Sequence, residues 1–388
     1  MVAQKRKICI VTGSRAEYGL LKAVIELVDK SSELELQLVV TGMHLSSEFG
    51  FTINEILNDN FHINKKLETL ISSDTPVGVS KSIGLGVIGF AETLEELKPN
   101  LIVILGDRYE ILSIAICALI AKIPLAHISG GEITEGAIDE SIRHSITKMS
   151  SIHFVAAEEY KRRVIQLGED KNKVFNVGGL GADICKHSDL FKKEYLEDFL
   201  NFKFKSKNIL ITFHPETLDL KYTECQIDNL LFSLGNFENI GLIFTMPNAD
   251  SRSKIIDSKI QRFCFENKNS TYIKSLGQKK YYSCLNIVDG VVGNSSSGIC
   301  EAPSFKIGTV NIGDRQKGRV RCESIIDVNN EQKEITNAIK MIISEEFKSK
   351  IKSVINPYQI NNTSENIVRI IKEINLQGIT KKKFFDLG

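Results

Sequence analysis

The sequence predicts an α/β protein made of two Rossmann-like, doubly wound domains, and three observations carry that expectation. Short β-branched runs alternate with helical periodicity, the pattern of a parallel sheet covered on both faces. That rhythm stops at a charged, glycine-free stretch, residues 187–208, and then begins again. Polar residues gather just after the strand runs, where open α/β sheets bind their ligands. A chain of 388 residues with 42% apolar content exceeds the usual size of a single core.

The strand runs of the first domain, residues 1–186, are KICIVTG (7–13), LQLVVTGM (36–43), LIVILGD (101–107), PLAHISG (124–130), IHFVAA (152–157) and VFNVGG (174–179). Residues 187–207 read as a linker containing a helix. The second domain, residues 208–360, repeats the pattern with ILITFHPE (209–216), IGLIFTMPN (240–248), STYIKSL (270–276), NIVDGVVGNSS (286–296) and IGTVNIGD (307–314). Residues 361–388 supply a helix, ENIVRIIKEI, and a basic aromatic tail, TKKKFFDLG, expected to pack back on the first domain. The strand-end loops of the two domains are expected to face a central cleft.

Charge and cysteine usage exclude several classes. There are 49 basic and 48 acidic residues, so no global field recruits nucleic acid or an anionic membrane. The eight cysteines stand singly, without the spacing of a zinc site. The basic start MVAQKRKICIVTG is too short in its apolar part for a signal peptide, and the run ILSIAICALIA (111–121) is too short to span a bilayer. A cytoplasmic protein is expected.

Candidate site residues lie at five strand ends. In IVTGSRAEYGLL (10–21) the turn has Gly13, Arg15 and Gly19 in place of a three-glycine dinucleotide fingerprint. It suits an anion held by helix amides and a guanidinium, or else it is an ordinary turn with a surface arginine. Asp107 ends LIVILGD, as a candidate base or a helix N-cap. HISGGEITEGAIDESIRHSITKMS (127–150) is the densest polar cluster. It holds Glu132, the Asp139/Arg143 pair and the Glu140/His144 pair at helical spacing, which on a plain surface helix would be weak ion pairs. His214 precedes a proline at the facing strand end in FHPET. GNSSSGICEAPS (293–304) offers Ser295, Ser296 and Ser297 to a phosphate and Glu301 to a ribose. Arg319 is the chosen cation of the basic loop GDRQKGRVR (313–321). With no Walker lysine loop and no Asp-x-Asp pair for a divalent ion, protein cations and amides are expected to carry a diphosphate.

Through VTGSRAEYG, TGMHLSSEFG, LGDRYE, HISGGE, IDESIRHSITKMS, FHPET, GNSSSG and NIGDRQKGR, nearly the whole chain resembles the hydrolysing UDP-N-acetylglucosamine 2-epimerases, in their bacterial sialic-acid-pathway branch. The resemblance implies a glycosyltransferase-B-like fold, a homodimer, and neither metal nor nicotinamide as cofactor. It implies conversion of UDP-N-acetylglucosamine and water to UDP and N-acetylmannosamine, through elimination to a 2-acetamidoglucal. By motif, Arg15, His214, Ser295, Ser296, Ser297 and Arg319 surround the diphosphate and Glu301 the ribose. Asp107 and Asp139 act at the sugar, with His44 and Arg143 nearby. Many relatives carry glutamate where this chain has Ser129, which leaves Glu132 a further candidate for the C2 proton. A related group acts on UDP-2,4-diacetamido-2,4,6-trideoxyglucose. Loops 43–52 and 72–82 are expected to sense the sugar's 4- and 6-positions. The rival readings are a glycosyltransferase using a UDP-sugar and a non-catalytic nucleotide-sugar sensor.

Overall fold

The computed structural model describes residues 5–71, 73, 75–135, 137–187, 190–215, 222–246 and 253–386. Two compact units divide the chain. Met1–Glu132, Asp139–Leu180 and Ile360–Gly388 form the first, and Ile133–Ile138 with Gly181–Gln359 form the second.

In the first unit, β1 (Arg6–Thr12), β2 (Leu34–Thr41), β3 (Lys65–Leu67), β4 (Leu101–Leu105), β5 (Leu125–Ile128), β6 (Ile152–Val155) and β7 (Val174–Asn176) form a parallel sheet in the order β3-β2-β1-β4-β5-β6-β7. Its helices are α1 (Arg15–Asp29), α2 (Ile53–Asn58), α3 (Pro76–Leu97), α4 (Tyr109–Ala121), α5 (Asp139–Met149) and α6 (Glu158–Gln166). Helix α7 (Leu180–His187) starts at the boundary. Along β1 the side chains alternate between two cores: Ile8 and Ile10 join one cluster with Leu21, Val24 and Ile371, while Cys9 and Val11 join another with Phe90, Ile111 and Ile114. Both faces are therefore apolar, which is why β1 reads as a continuous hydrophobic run.

The second unit contains α8 (Lys193–Leu200), β8 (Lys207–Thr212), α9 (Thr223–Gly235), β9 (Ile240–Thr245), α10 (Ser253–Glu266), β10 (Ser270–Ile273), α11 (Gly277–Leu285), β11 (Gly290–Gly293), α12 (Ser297–Cys300), β12 (Gly308–Ile312), β13 (Ile325–Val328), α13 (Gln332–Ile342) and α14 (Glu345–Ile351). Its parallel sheet runs β10-β9-β8-β11-β12-β13. Here too Ile209 and Ile211 enter one core and Leu210 the other. Leu196 and Leu200 of α8 lie in that second core, so the helix inside the 187–207 segment is an integral part of the unit. The chain then returns to the first unit, where α15 (Thr363–Glu373) packs on α1.

The structure differs from the sequence expectation at three elements. Strands β3 (KKL) and β13 (IIDV) are short edge strands that carry charged residues and are only partly buried, so no continuous apolar run marks them. Residues 76–82, expected as loop, open the 22-residue helix α3. Thr75 caps it through its side chain and Pro76 occupies the first turn, a start signal that outweighs the glycines behind it. Gly86 lets α3 approach α4 closely, since a Cβ there would stand 2.6 Å from Ser113 Oγ. By length and composition alone α3 is apolar enough to cross a membrane; Ser82, Gly86, Phe90, Thr93 and Leu94 form its buried face.

Candidate active site

In the first sheet the order reverses direction between β1 and β4, so their carboxyl ends flank the switch-point crevice. Gly13, Ser14 and Arg15 follow β1, and Gly106, Asp107 and Arg108 follow β4. Ser14 caps α1, accepting the Glu17 N–H. Arg15 is half-buried, its Nε 2.7 Å from Glu55 Oε1 at ion-pair distance but without hydrogen-bond alignment. Asp107 is half-buried on a turn that needs Gly106 in the left-handed region, at φ +81°.

Arg143 organises the acids around Asp107. Its side chain is 1% exposed. One Nη donates to Asp107 Oδ2; the other donates to Glu140 Oε2 and to the Glu132 carbonyl, both at 2.9 Å. Glu140 continues the chain, pairing at 2.9 Å with His144 Nε2. Arg143, expected near the sugar, is thus engaged inside the protein by the group it was expected to accompany. Asp139 begins α5 half-buried, and Glu132 is buried.

His44 is also interior. It is fully buried, with Nε2 3.0 Å from Thr12 Oγ1 and Nδ1 2.8 Å from Thr52 Oγ1. Burial lowers its pKa to about 4, against a weaker upward pull from a backbone hydrogen bond at Ser14. At neutral pH it is an uncharged tie between the β1 and β2 ends. Sequence reasoning gave no role to a second such tie, His127. Its Nε2 lies 2.7 Å from the Gly106 carbonyl and its Nδ1 3.2 Å from Thr147 Oγ1. Burial pushes its pKa down to about 3, so the neutral ring donates from Nε2 to that carbonyl and fixes the turn beneath Asp107. Ser129, at the β5 end, sits in the left-handed region at φ +68°, a placement a serine tolerates poorly and one found preferentially at functional turns.

In the second sheet the switch point lies between β8 and β11. His214 follows β8 and the Asn294–Ser297 turn follows β11. The buried Asn294 joins these two ends: its Oδ1 accepts the His214 N–H at 2.7 Å and its Nδ2 donates to the His214 carbonyl at 2.8 Å. The turn can be made only by glycine at 293, where φ is +137° and a Cβ would lie 2.0 Å from the Thr212 carbonyl oxygen. Ser295, Ser296 and Ser297 are half-buried at the start of α12, and Ser297 Oγ is buried with no protein hydrogen-bond partner. Glu301 follows α12, and Arg319 reaches back to the same helix through Cys300 Sγ at 3.7 Å. Arg315 and Gln316, which the sequence did not single out for the site, hold the Asn294 carbonyl at 3.1 and 3.0 Å. Glu216 and Thr217 of the FHPET stretch lie outside the described residues. Among the described residues no group of three His, Cys, Asp or Glu side chains is arranged to hold a metal ion.

The first unit therefore presents a carboxylate fixed by an interior guanidinium, and the second presents hydroxyls, a histidine and a cation around a short helix start. Residues 26–372 match the family profile described as UDP-N-acetylglucosamine 2-epimerase. The chain is 44% identical, over 99% of its length and 100% of the relative's, to a Campylobacter jejuni GDP/UDP-N,N'-diacetylbacillosamine 2-epimerase (hydrolyzing). It is 42% identical to polysialic acid biosynthesis protein P7 of Escherichia coli, covering 98% of both chains. A solved structure of the Neisseria meningitidis UDP-GlcNAc 2-epimerase bound to UDP-GlcNAc superposes with a TM-score of 0.79 at 19% identity, covering 94% of this chain and 99% of that one. The fold is accordingly the glycosyltransferase-B-like one.

Proposed function

The chain belongs to the UDP-N-acetylglucosamine 2-epimerase family as a UDP-sugar 2-epimerase, and we propose that it works by hydrolysis, on UDP-N-acetylglucosamine, releasing UDP and N-acetylmannosamine. In the first half-reaction a carboxylate takes the C2 proton while the C1–O bond breaks and its electron pair leaves with the β-phosphate, giving 2-acetamidoglucal and UDP. In the second, water adds to C1 and a proton returns to C2 from the opposite face. The observation that carries this reading is Asp107, half-open at the β4 end with its carboxylate held by the interior Arg143.

Each unit has its part. Asp107 and Asp139, with Glu132 as a further candidate, serve the sugar's protons. Arg15, His214, Ser295, Ser296, Ser297 and Arg319 take the diphosphate and Glu301 the ribose. Charge develops on the departing phosphate, so fixed donors there stabilise the transition state most. Turnover in deuterated water is expected to place deuterium at C2 of the released sugar; a product with only its original hydrogen there refutes the elimination. Incubation without an acceptor separates this from a glycosyltransferase, which would leave the UDP-sugar intact.

A second substrate reading has a specific support. The 44% identity to a diacetylbacillosamine epimerase favours UDP-2,4-diacetamido-2,4,6-trideoxyglucose, by the same steps. Rates on the two nucleotide sugars, measured side by side, decide between them. We also propose a cytoplasmic homodimer. Free thiols suit a reducing compartment, and α3 and α4 expose Ile88 at 64% and Ile120 at 76% on the first unit.

A further inference from the structure

Beneath the Gly13 turn lie two buried glutamates to which the proposed chemistry gives no part. Glu17, in the first turn of α1, accepts the Gly13 N–H on Oε2 at 2.7 Å. Its Oε1 is buried without a hydrogen-bond partner in the protein. Glu110, in the first turn of α4, accepts from Arg108 Nε at 3.2 Å and Nη2 at 3.1 Å. Packing around them is tight. A Cβ on Gly13 would stand 3.3 Å from Glu110 Cβ and 3.5 Å from Glu17 Oε2. One on Gly42 would stand 2.8 Å from the Gly13 carbonyl oxygen and 3.1 Å from Glu110 Cγ. The Gly13 carbonyl is itself held by the Met43 N–H at 2.9 Å. The ends of β1, β2 and β4 thus meet on two carboxyl groups.

We propose that Glu17 is a positioning residue: its carboxyl holds the Gly13 amide against the Glu110–Arg108 pair, so that the turn bearing Arg15 and the turn bearing Asp107 keep one spacing. This rests on the reading of Arg15 as a diphosphate ligand and Asp107 as a proton-transfer group. Burial, with the charges of Glu110 and Asp107 nearby, outweighs the downward pull of Arg108 and the Gly13 amide and raises the Glu17 pKa from 4.5 to about 8. Glu17 is therefore neutral at pH 7, and above pH 8 it becomes a negative charge in the buried space it shares with the Glu110–Arg108 pair. Glutamine keeps the acceptor oxygen and never ionises, so it reproduces the neutral form.

The test is steady-state kinetics on the UDP-sugar from about pH 6 to about pH 9 for the wild type, Glu17→Gln and Glu17→Ala. Glu17→Ala is expected to raise KM about tenfold or more, and Glu17→Gln to restore it to within about threefold. The wild-type KM climbs above pH 8, and that of Glu17→Gln does not. The comparison of wild type with glutamine stands even if the alanine variant does not fold. An alkaline rise unchanged in Glu17→Gln, or glutamine as damaging as alanine, overturns the proposal. UDP titration of Arg15→Ala separates the two levels. Undiminished affinity overturns the diphosphate reading and this inference with it, whereas lost affinity with an unchanged Glu17→Gln profile overturns this inference alone.

Discussion

Replacing Glu169 by glutamine tests how the first unit's C-terminal tail is secured. Glu169 is buried, its side chain 2% exposed, and takes Lys148 Nζ at 2.6 Å, Lys382 Nζ at 2.6 Å and His153 Nε2 at 3.0 Å. Lys382 also donates to the carbonyls of Lys148 at 2.8 Å and Ser150 at 2.6 Å, and the Phe385 N–H to Gly168 at 2.9 Å. Burial by itself would raise the carboxyl, but the donors from His153, Lys148 and Lys382 outweigh it and bring the pKa from 4.5 to about 2. A depression of that size corresponds to about 3 kcal/mol. The folded state binds fewer protons than the unfolded between those values. The stabilisation is therefore present above pH 4.5 and lost as pH falls toward 2, with about 1 kcal/mol remaining near pH 3. Hydrogen exchange at the Ile152–Val155 amides reads the first unit apart from the second. Glu169→Gln is expected to lower that protection by about 3 kcal/mol near pH 7 and by about 1 kcal/mol near pH 3. A loss under about 1 kcal/mol near pH 7, or an equal loss at both, refutes the ion-cluster reasoning.

Three further substitutions probe the proposed chemistry and assembly. Asp107→Asn is expected to lose at least about 10²-fold in kcat while still binding UDP, and Arg143→Lys to lose about tenfold or more with little change in KM, because an ammonium cannot hold Asp107 and Glu140 in one plane; near-normal turnover in either variant removes that residue from the mechanism. Ile88→Glu is expected to shift the protein from dimer to monomer in sedimentation velocity, and a dimer that survives it moves the interface off α3.

The turns were legible because their physics is local. A strand apolar on both faces followed by Gly-Ser-Arg, or by Gly-Asp, can be read from a dozen residues, and the switch point of the first sheet lies between two such strands. What the sequence could not separate is a polar residue that touches a ligand from one that holds a strand end, because the residue types are the same. His44, which by motif lies near the sugar, is tied to Thr12 32 positions away, a pairing that no local pattern shows. Asn294 carries no signal of its role within GNSSSG, because its partner, the His214 backbone, lies 80 positions back.

The separation follows one rule across both units. Glu17 on the Gly13 amide, His127 on the Gly106 carbonyl, His44 on Thr12 and Asn294 on the His214 backbone are all buried and all spent on neighbouring strand ends. Removing any one leaves a buried backbone group or hydroxyl unsatisfied, at about 1–3 kcal/mol, within a turn already confined by glycine. Arg15, Asp107, Asp139, Ser295, Ser296, Ser297 and Arg319 keep part of their surface open. Under the proposed function the substrate is met by this second set together with Glu301, Glu132 and the buried His214, and the first set holds the strand ends that carry them. Such preorganisation is what the proposed elimination would need, since donors placed in advance need no reorganisation when the phosphate gains charge. It also predicts where tolerance lies: substitutions in the first set should disturb KM and stability together, and those in the second should change turnover in a protein that still folds.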